Sequence, residues 1–586
     1  MSPGPFIAVR NLTKTFKGAE RPALDDLVAE MPQGRMTGLV GPDGAGKTTL
    51  MRLLIGLLVQ ERGTLSVGGF DSLREADRIR AISGYMPQKF GLYEDLTVME
   101  NMALYADLRN TVGPERGARF EELLAFTDLG RFRARLAGRL SGGMKQKLAL
   151  ACVLISTPRL LLLDEPSVGV DPVSRRELWR MVTKLASDGL TVVWSTSYLD
   201  EAEKCDQVIL LHQGRNLYSG PPGEALARVR GRSFALGGLQ GPEKRKALMA
   251  LLKEGSVMDG LIQGGDIKVV TKKAGPAPAF PGDWRPVRPS FEDAFVDLLG
   301  GPSLGESSLA LGMDDKPADG SVVVEASGLT KRFGGFTAVD GNSFKIRRGQ
   351  IFGLLGPNGA GKSTTFKMMC GLIRPSSGQA TIAGYSLGKS PSQARGRIGY
   401  MAQRFSLYDQ LSVSQNLLFF SGAYGLHGRR QRERVELMKE VFDLRGYQHM
   451  GAATLPLGFK QRLALACAVM HQPDVLFLDE PTSGVDPLTR REFWLHINHL
   501  AVKGVTVMIT THFMEEAEYC DSIALIYRGR NIASGSPDEL KELAASEGLP
   551  CPTMEEAFIR LIGRGGKPAA AWAAGSPGQE QRGQVF

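Results

Sequence analysis

The chain has 586 residues, and its 71 Lys and Arg against 62 Asp and Glu give a formal net charge of +9. This length is more than one hydrophobic core accommodates, so we expect two or more domains. The charge excess is small and no dense basic run is present, which argues against a nucleic-acid partner.

Three further features of the sequence bear on where the protein works. No stretch approaches the roughly 20 apolar residues that a membrane-spanning helix requires. The N-terminus lacks a charged region followed by an apolar one, so we expect no signal peptide. The six cysteines are scattered without a C-x-x-C pair, which favours a reduced, cytosolic protein without disulfides or a zinc site.

Predicted strands between Ile7 and about Pro32 lead to a glycine-rich loop, and a second such loop occurs in the other half of the chain. Both loops match G-x-x-x-x-G-K-[ST] between an apolar strand and a helix, a pattern that holds phosphates with backbone N–H groups. Lys47 and Lys362 are expected to neutralise the outer phosphates, and the adjacent hydroxyls to contact Mg²⁺. The predicted loop residues are Gly41, Pro42, Asp43, Gly44, Ala45, Gly46, Lys47, Thr48 and Thr49, and Gly356, Pro357, Asn358, Gly359, Ala360, Gly361, Lys362, Ser363 and Thr364.

The two loops belong to a tandem duplication. Lys47 and Lys362 are 315 positions apart, and the same offset relates Asp164 to Asp479. A constant offset means that neither half has a net insertion in this region, so the repeat is of domain size. Strands and helices alternate in both halves, which predicts an α/β fold with a parallel sheet, and the stretch from about Glu100 to Leu140 is helix-rich.

An aromatic residue occupies an equivalent place ahead of each loop. Phe16 follows Leu-Thr-Lys-Thr, and Phe333 follows Leu-Thr-Lys-Arg. Either ring can stack on an adenine base, but an aromatic side chain in the core of a strand is an equally good interpretation. We keep both as candidate nucleotide contacts.

Apolar strands downstream of each loop end in a pair of acids, Asp164-Glu165 and Asp479-Glu480. A carboxylate at a strand end holds Mg²⁺ directly or through water, so Asp164 and Asp479, together with Thr48 and Ser363, are the predicted metal ligands. The neighbouring Glu165 and Glu480 are candidate general bases that polarise the attacking water.

Two further motifs complete each half. Gln88 and Gln403 are neutral amides that can contact both the water of a bound metal and a neighbouring subunit; we assign both to the metal and Gln403 also to catalysis. In the first half, Ser141, Gly142 and Gly143 bring a hydroxyl and free N–H groups to a predicted helix start, with no side chain to block an approaching anion.

The order and spacing of these motifs resemble the nucleotide-binding domain of the ATP-binding cassette (ABC) family, over about Ile7 to Pro222 and about Val323 to Pro537. The resemblance implies two tandem P-loop NTPase domains, each with a parallel-sheet core, an N-terminal antiparallel β part and a helical subdomain. It also implies ATP and Mg²⁺ as ligands. In that family the Ser-Gly-Gly turn approaches the γ-phosphate of ATP bound by the opposite domain, so we expect the two halves to pair head to tail within the chain.

The two composite sites implied by this pairing differ. Where the first half has Ser141 and Gly142, the second has Pro456 and Leu457, which removes an N–H and a hydroxyl and adds bulk. Asp43 replaces the Asn358 of the second loop and adds a negative charge near phosphate.

A third difference concerns the histidine that contacts the γ-phosphate in the family. His512 matches it in the second half, whereas the first half has Ser197. All three changes fall on the site built from the first loop. We therefore expect the site containing Lys362, Ser363, Gln403, Asp479, Glu480 and His512 to hydrolyse ATP. We expect the other mainly to hold ATP, with slow turnover left open because Glu165 is present.

Past about Gly220 the two halves diverge. Phe291 and Met554 occupy matching places but are 263 positions apart instead of 315, so the first half carries 52 extra residues. This insert, around Arg230 to Trp284, has no purpose that we can assign from sequence. The predicted organisation is a first cassette at 7–225, its C-terminal extension at 226–299, a flexible Gly/Ser/Pro-rich linker at 300–320, a second cassette at 321–562 and a disordered tail at 563–586.

Three functions fit a tandem ATPase of this kind. A soluble, ribosome-associated translation factor with tandem cassettes has a long charged helical linker and two intact signatures, unlike this chain. The segments Tyr85–Leu96 and Tyr400–Leu411 resemble those of ABC-2-type exporters, rather than the tandem ATPase of a sugar importer.

The resemblance thus implies the fused, two-cassette ATPase of a bacterial multidrug-efflux-like export system. Such a chain serves two separate ABC-2-type permease subunits and is cytoplasmic, peripheral at the inner face of the cell membrane. By analogy, the residues just after Gln88 and Gln403 are expected to grip cytoplasmic helices of the permease subunits, unless they form an ordinary surface loop.

Overall fold

The computed structural model describes residues 4–18, 21–88, 91–113, 115–239, 241–301, 312–316, 319–403, 406–511, 513–546, 550 and 552–564. His512, residues 302–311 of the expected linker and the expected tail from 565 onward lie outside the described residues.

The first half contains two sheets. Its strands are β1 (Ile7–Lys14), β2 (Leu24–Met31), β3 (Met36–Val40), β4 (Arg62–Val67), β5 (Phe70–Asp71), β6 (Ser83–Met86), β7 (Leu160–Asp164), β8 (Thr191–Ser195), β9 (Gln207–His212) and β10 (Arg215–Gly220). Strands β2-β1-β4-β5 form an antiparallel sheet, and β10-β9-β3-β8-β7-β6 form a sheet that is parallel apart from β10. Every residue of β3, β7 and β8 is buried, as expected for parallel strands covered on both faces.

Helices cover the faces of the parallel sheet and build a subdomain beside it. They are α1 (Lys47–Leu54), α2 (Ala76–Ile82), α3 (Val98–Leu108), α4 (Glu115–Thr127), α5 (Gly142–Leu154), α6 (Pro172–Ser187) and α7 (Leu199–Ala202), with 3₁₀ turns at Gly130–Phe132 and Ala137–Arg139. Met102, Leu124 and Leu148, from α3, α4 and α5, are buried in one apolar cluster. The same cluster includes buried residues of β3, β7, β8 and β9, so the helical subdomain packs against the parallel sheet.

The insert of the first half is a folded subdomain. It lies within the elements α8 (Pro222–Ala227), β11 (Ser233–Gly237), α9 (Gly241–Leu251), β12 (Val257–Gln263), β13 (Asp266–Thr271), β14 (Asp283–Pro286) and α10 (Phe291–Leu298). Its strands form a separate antiparallel sheet in the order β12-β13-β11-β14, and α9 closes a small core with Leu236, Leu248 and Val269. We call residues 233–286 the insert subdomain.

The second half repeats both sheets of the first. Its strands are β15 (Val322–Phe333), β16 (Phe336–Arg347), β17 (Ile351–Leu355), β18 (Ser377–Ile382), β19 (Tyr385–Ser386), β20 (Ile398–Met401), β21 (Val475–Asp479), β22 (Thr506–Thr511), β23 (Ser522–Tyr527) and β24 (Arg530–Gly535). Its antiparallel sheet has the order β16-β15-β18-β19, and its mainly parallel sheet β20-β21-β22-β17-β23-β24 has the same strand order as that of the first half.

The helices of the second half also follow the repeat. They are α11 (Lys362–Met369), α12 (Pro391–Arg395), α13 (Val413–Ala423), α14 (Gly428–Val441), α15 (Leu457–Val469), α16 (Pro487–Val502), α17 (Met514–Ala517), α18 (Pro537–Ala544) and α19 (Met554–Arg564), with 3₁₀ turns at Arg445–Tyr447 and Ala452–Thr454. The predicted α/β class is therefore confirmed for both halves. Within the described ranges, every helix is too short or too polar to cross a bilayer.

Two predicted boundaries need correction. Residues 312–316, which we expected to belong to a flexible linker, pack on the second half: Met313 is buried, Gly312 accepts a hydrogen bond from Arg434, and Lys316 pairs with Asp474 at 3.2 Å. The apolar Met313 anchors the segment. The predicted tail begins two residues early, because helix α19 continues to Arg564.

Candidate functional site

Each phosphate loop joins the end of a buried parallel strand to the start of a helix. The loop of the first half connects β3 to α1, and that of the second connects β17 to α11. Gly46 and Gly361, just before the helices, have φ of 106° and 102°, a left-handed conformation that glycine adopts without a Cβ penalty. The loops therefore point backbone N–H groups at the helix start, where anions bind.

The loop lysines are buried and folded over their own loops. Lys47 Nζ donates to the carbonyl of Gly41 at 2.8 Å and lies 3.5 Å from a carboxyl oxygen of Glu165. Lys362 Nζ donates to the carbonyl of Gly356 at 2.6 Å, and burial lowers its pKa. Both ammonium groups thus lie between the loop and the acids, where a bound phosphate group would meet them.

The acid pairs lie at the ends of β7 and β21, as their sequence pattern predicts. Burial raises the pKa of Asp164, Glu165 and Asp479, which makes their carboxylates better proton acceptors. Glu165 and Glu480 have φ of 51° and 47°, a left-handed backbone that is costly for a residue with a side chain. The same strained conformation at both acids fits a role in which the carboxylate must be aimed precisely.

The residues present fit a bound Mg²⁺. In the described part of the chain, Oδ1 of Asp164 is buried without a hydrogen-bond partner, while Oδ2 accepts from the hydroxyl of Tyr85 at 3.3 Å. The hydroxyl of Thr48 lies beside the same carboxyl. A carboxylate oxygen and a hydroxyl are the hard donors that Mg²⁺ prefers. Thr48 with Asp164, and by the repeat Ser363 with Asp479, would hold the ion, which neutralises phosphate charge when bound.

The two glutamines contact the candidate bases. Gln88 Nε2 donates to Glu165 at 2.8 Å, and Gln403 Nε2 donates to Glu480 at 2.7 Å. These hydrogen bonds fix the orientation of each glutamate. The assignment of both glutamines to the metal, and of Gln403 to catalysis, stays a prediction.

The second loop lies against the first half. The side-chain amide of Asn358 donates to the carbonyl of Gly169 at 3.2 Å, and a Cβ on Gly142 would lie 3.8 Å from the same amide nitrogen. Helix α5 begins at Gly142, and Ser141 caps it by accepting from the backbone N–H of Met144. The Ser141–Gly143 turn is therefore next to the phosphate loop of the opposite half.

The other junction, at the first loop, has different chemistry. Helix α15 begins at Leu457 after Pro456, which supplies no side-chain cap. Asp43 retains exposed surface, yet its pKa is raised to about 7, first by burial and then by the negative charge of Asp486. The structure therefore places an acid opposite an acid here, where the other junction has an amide donor.

The candidate stacking rings are exposed, whereas the serine at the position of the family histidine is buried. Phe16 and Phe333 are 42% and 53% exposed, so the interpretation of these rings as core residues is wrong, and both remain open to stack on a base. Ser197 is buried, and its hydroxyl has no hydrogen-bond partner among the described residues. Its counterpart His512 lies outside them.

Several residues that hold the site together are not evident from the sequence. Thr510 donates to Asp479 at 2.5 Å and accepts from the backbone N–H of Glu480, and Tyr85 binds Asp164. Tyr85 recurs as Tyr400 at the repeat offset, a signal that could have drawn attention to it. The carbonyl of Gly169 has no comparable signature, because any residue supplies a carbonyl.

Both halves of the chain resemble known proteins in sequence. Residues 24–168 and 339–483 each match the model of the ABC transporter family. The probable multidrug ABC transporter ATP-binding protein YbhF of Escherichia coli (strain K12) is 57% identical over 566 residues, which cover 95% of this chain and 97% of that protein.

Two shorter relatives match part of the chain. The Nod factor export ATP-binding protein I of Ralstonia nicotianae is 42% identical over 226 residues, covering 38% of this chain and 70% of that protein. The linearmycin resistance ATP-binding protein LnrL of Bacillus subtilis (strain 168) is 40% identical over 220 residues, covering 37% and 70%.

Proposed function

The chain belongs to the ABC transporter family and is an ATPase with two cassettes in one polypeptide, and from this we propose that it powers an ABC-2-type exporter whose permease subunits are separate chains. The observation that carries the proposal is the 57% identity to a probable multidrug ABC transporter ATP-binding protein, which extends over nearly the full length of both chains. Relatives named for Nod factor export and linearmycin resistance support export over import or translation.

We also propose that the two composite sites divide the work. The site of Lys362 and Glu480 has the opposing Ser141 turn and hydrolyses ATP. The site of Lys47 and Glu165 faces Pro456, which has no N–H to donate, and mainly holds ATP. Removing one preorganised donor to transition-state charge costs about 10²–10³ in rate, enough to separate the two sites.

Exposed aromatic side chains support a permease contact beyond each glutamine. Tyr93 is 56% exposed, and Tyr408 and Phe419 are 49% and 46% exposed on the helical subdomain of the second half. Tyr408 and Phe419 stack edge to face with their ring centroids 4.5 Å apart. We propose that these surfaces receive apolar cytoplasmic helices of two permease subunits at the inner face of the membrane.

ATP turnover by single-site variants tests the division of work. We expect Glu480→Gln to lose at least about 10² of the ATPase rate and Glu165→Gln to keep most of it. Equal losses would count against the division unless the sites are tightly coupled. Photolabelling with 8-azido-ATP separates these cases, because the first half should then retain triphosphate while the second accumulates diphosphate.

Association tests the exporter assignment. We expect the tagged chain to co-purify from detergent-solubilised membranes with two multi-span proteins, and genes for two such proteins beside its own would agree. Recovery of the chain with ribosomes instead would favour a tandem-cassette translation factor.

A further inference from the structure

The insert subdomain makes a buried, charged contact with the second half of the chain. Arg245, in α9, has a side chain that is only 2% exposed. Its guanidinium donates to Asp521 at 2.5 Å and to the side-chain oxygen of Asn498 at 3.3 Å. An arginine buried to this degree requires both partners, because an unpaired charge at such a place is strongly unfavourable.

A second ion pair lies on the adjacent strand. Asp259, in β12, is buried and pairs with Arg491 of α16, which also contacts Glu292 at 3.2 Å. The turn between β12 and β13 adds two backbone donors: Gly264 N–H to the carbonyl of Glu518 at 3.0 Å, and Gly265 N–H to Asp538 at 2.6 Å. The helix, one strand and one turn of the insert subdomain thus all engage the second half.

The repeat shows that this contact is specific to one half. Arg491, Asn498 and Asp521 correspond, at the offset of 315, to Arg176, Thr183 and Asp206 of the first half. The three residues of the first half are exposed, whereas Arg491 and Asn498 are buried. The side chain of Asp206 is 41% exposed and that of Asp521 16%. The insert subdomain therefore covers a surface of the second half whose counterpart is open.

The contact lies away from the nucleotide loops. Asp521 accepts a hydrogen bond from the backbone of Ile351, the first residue of β17, whereas the second phosphate loop follows Leu355 at the other end of that strand. A strand of five residues spans roughly 13 Å between its first and last residues. The insert contact and the phosphate loop therefore lie at opposite ends of strand β17. Events at the phosphate loop need not disturb the insert contact.

The interactions at the two places differ in kind. Across the nucleotide junction, Asn358 and Gly169 share an exposed neutral hydrogen bond. The insert contact combines two ion pairs made by buried arginines with two hydrogen bonds from backbone N–H groups, and Leu261 of β12 packs against the apolar core of the second half. The nucleotide junction is therefore the weaker of the two and the one expected to open.

We propose that the insert subdomain is a permanent clamp that keeps the first half attached to the second when the nucleotide sites open. The halves then move apart by hinging at the insert contact, and they stay attached to each other without bound nucleotide. The clamp acts on one side only, because the second half has no equivalent insert. This proposal does not depend on which site hydrolyses ATP.

The test uses the full chain with a protease site placed within residues 302–311. The purified protein is cleaved there and passed over a size-exclusion column without nucleotide. We expect the two pieces to elute together. Separation of the unmutated pieces in the absence of ATP would overturn the proposal without reference to any variant.

Variants at the insert contact test whether this contact holds the cleaved pieces together. We expect Arg245→Ala combined with Asp259→Asn to speed dissociation of the cleaved pieces at least tenfold, and Asn498→Ala to give a smaller increase from the other side of the contact. Thr183→Ala, at the exposed repeat counterpart of Asn498, is the matched control and should change nothing. Circular dichroism of the uncleaved variants checks folding. If well-folded double-variant pieces separate no faster than the unmutated pieces, the clamp lies elsewhere and the proposal fails.

Discussion

The side-chain amide of Asn358 donates a hydrogen bond to the carbonyl of Gly169 at 3.2 Å, and this contact ties the second phosphate loop to the first half. The repeat counterpart of Asn358 is Asp43, and the negative charge of Asp486 across the other junction raises the pKa of its carboxyl. An ionised carboxylate has no hydrogen to donate. The exchange of an amide for an acid therefore converts an attraction between the halves into a repulsion once the acid is ionised.

The first prediction concerns the pH dependence of the Asp43 junction. The pKa of Asp43 is raised from 3.8 to about 7, by burial and then by Asp486 of the opposite half, with Glu165 adding to the shift and Lys47 opposing it. The part of this shift that Asp486 causes exists only while the halves are together, so the closed form binds the proton more tightly than the separated form and closure weakens as pH rises toward about 7. We expect ATP affinity at the first site to be lower at pH 8 than at pH 6.

Asp43→Asn is the matched control for this prediction. The neutral amide can donate as Asn358 does, so the variant should bind ATP at the first site more tightly at pH 8 and without this dependence on pH. Both proteins are measured in a Glu480→Gln background with a fluorescent ATP analogue. The titration of the nucleotide is common to both and cancels, and identical pH profiles for the two proteins would contradict the assignment.

The second prediction is the reverse exchange, Asn358→Asp. The new carboxylate loses the hydrogen bond to Gly169 and faces Asp171, which already contributes a negative potential at Lys362. The lost hydrogen bond is worth about 1 kcal/mol, and repulsion between the new carboxylate and Asp171 adds to this cost. We therefore expect the ATPase rate to fall by about tenfold or more. Steady-state ATPase measures it, with Asp43→Asn as the companion that should not slow turnover.

The third prediction concerns the start of α5. A Cβ on Gly143 would overlap the side chain of Ser174, whereas a Cβ on the repeat counterpart Gly458 would lie 3.2 Å from Cγ2 of Thr489. Gly143→Ala must therefore push α5 away from α6, while Gly458→Ala needs only a small adjustment. We expect the first variant to lose about 10² of the ATPase rate and about 1–3 kcal/mol of unfolding free energy, and the second to lose little.

Thermal unfolding and ATPase on the same preparations check this pair. A Gly458→Ala protein that loses as much activity as Gly143→Ala would mean that both helix starts serve hydrolysis equally. That outcome would also count against the proposed division of work between the sites.

The parts of the molecule that the sequence predicts well are those with local chemistry. A phosphate loop needs glycines, a lysine and a hydroxyl in one short run, and the acid pairs directly follow apolar strands. Lys47 accordingly lies at the start of a helix and Asp164 at the end of a strand, as the sequence predicts. The repeat strengthened each assignment, because two copies with one offset are hard to obtain by chance. The roles of these residues toward ATP and Mg²⁺ stay predictions.

The parts that the sequence does not predict depend on distant partners. Arg245 looks like one charge on an exposed helix, yet it is buried against Asp521, 276 positions away. Met313 lies in a stretch of linker composition, and its burial depends on the second half. Pairings of this kind leave no period or motif in the chain, so only the folded arrangement reveals them.

The fourth prediction concerns the proposed permease contact beyond Gln88. Asn101 is fully buried in α3, and its amide donates to the carbonyls of Tyr93, Leu96 and Thr97 and accepts from the N–H of Tyr93. One side chain thus fixes the shape of the segment that we propose to grip the permease.

Asn101→Ala removes all four hydrogen bonds and leaves backbone groups of the segment without partners, so we expect a loss of about 1–3 kcal/mol of unfolding free energy. We expect a larger effect on retention of the chain by membranes that contain the permease subunits than on ATPase of the isolated chain. Val269→Ala, in the core of the insert subdomain, is a control of similar cost at a distant place. If Val269→Ala lowers membrane retention as much as Asn101→Ala does, the loss reflects reduced stability of the whole protein. The segment after Gln88 then has no specific role in binding the permease.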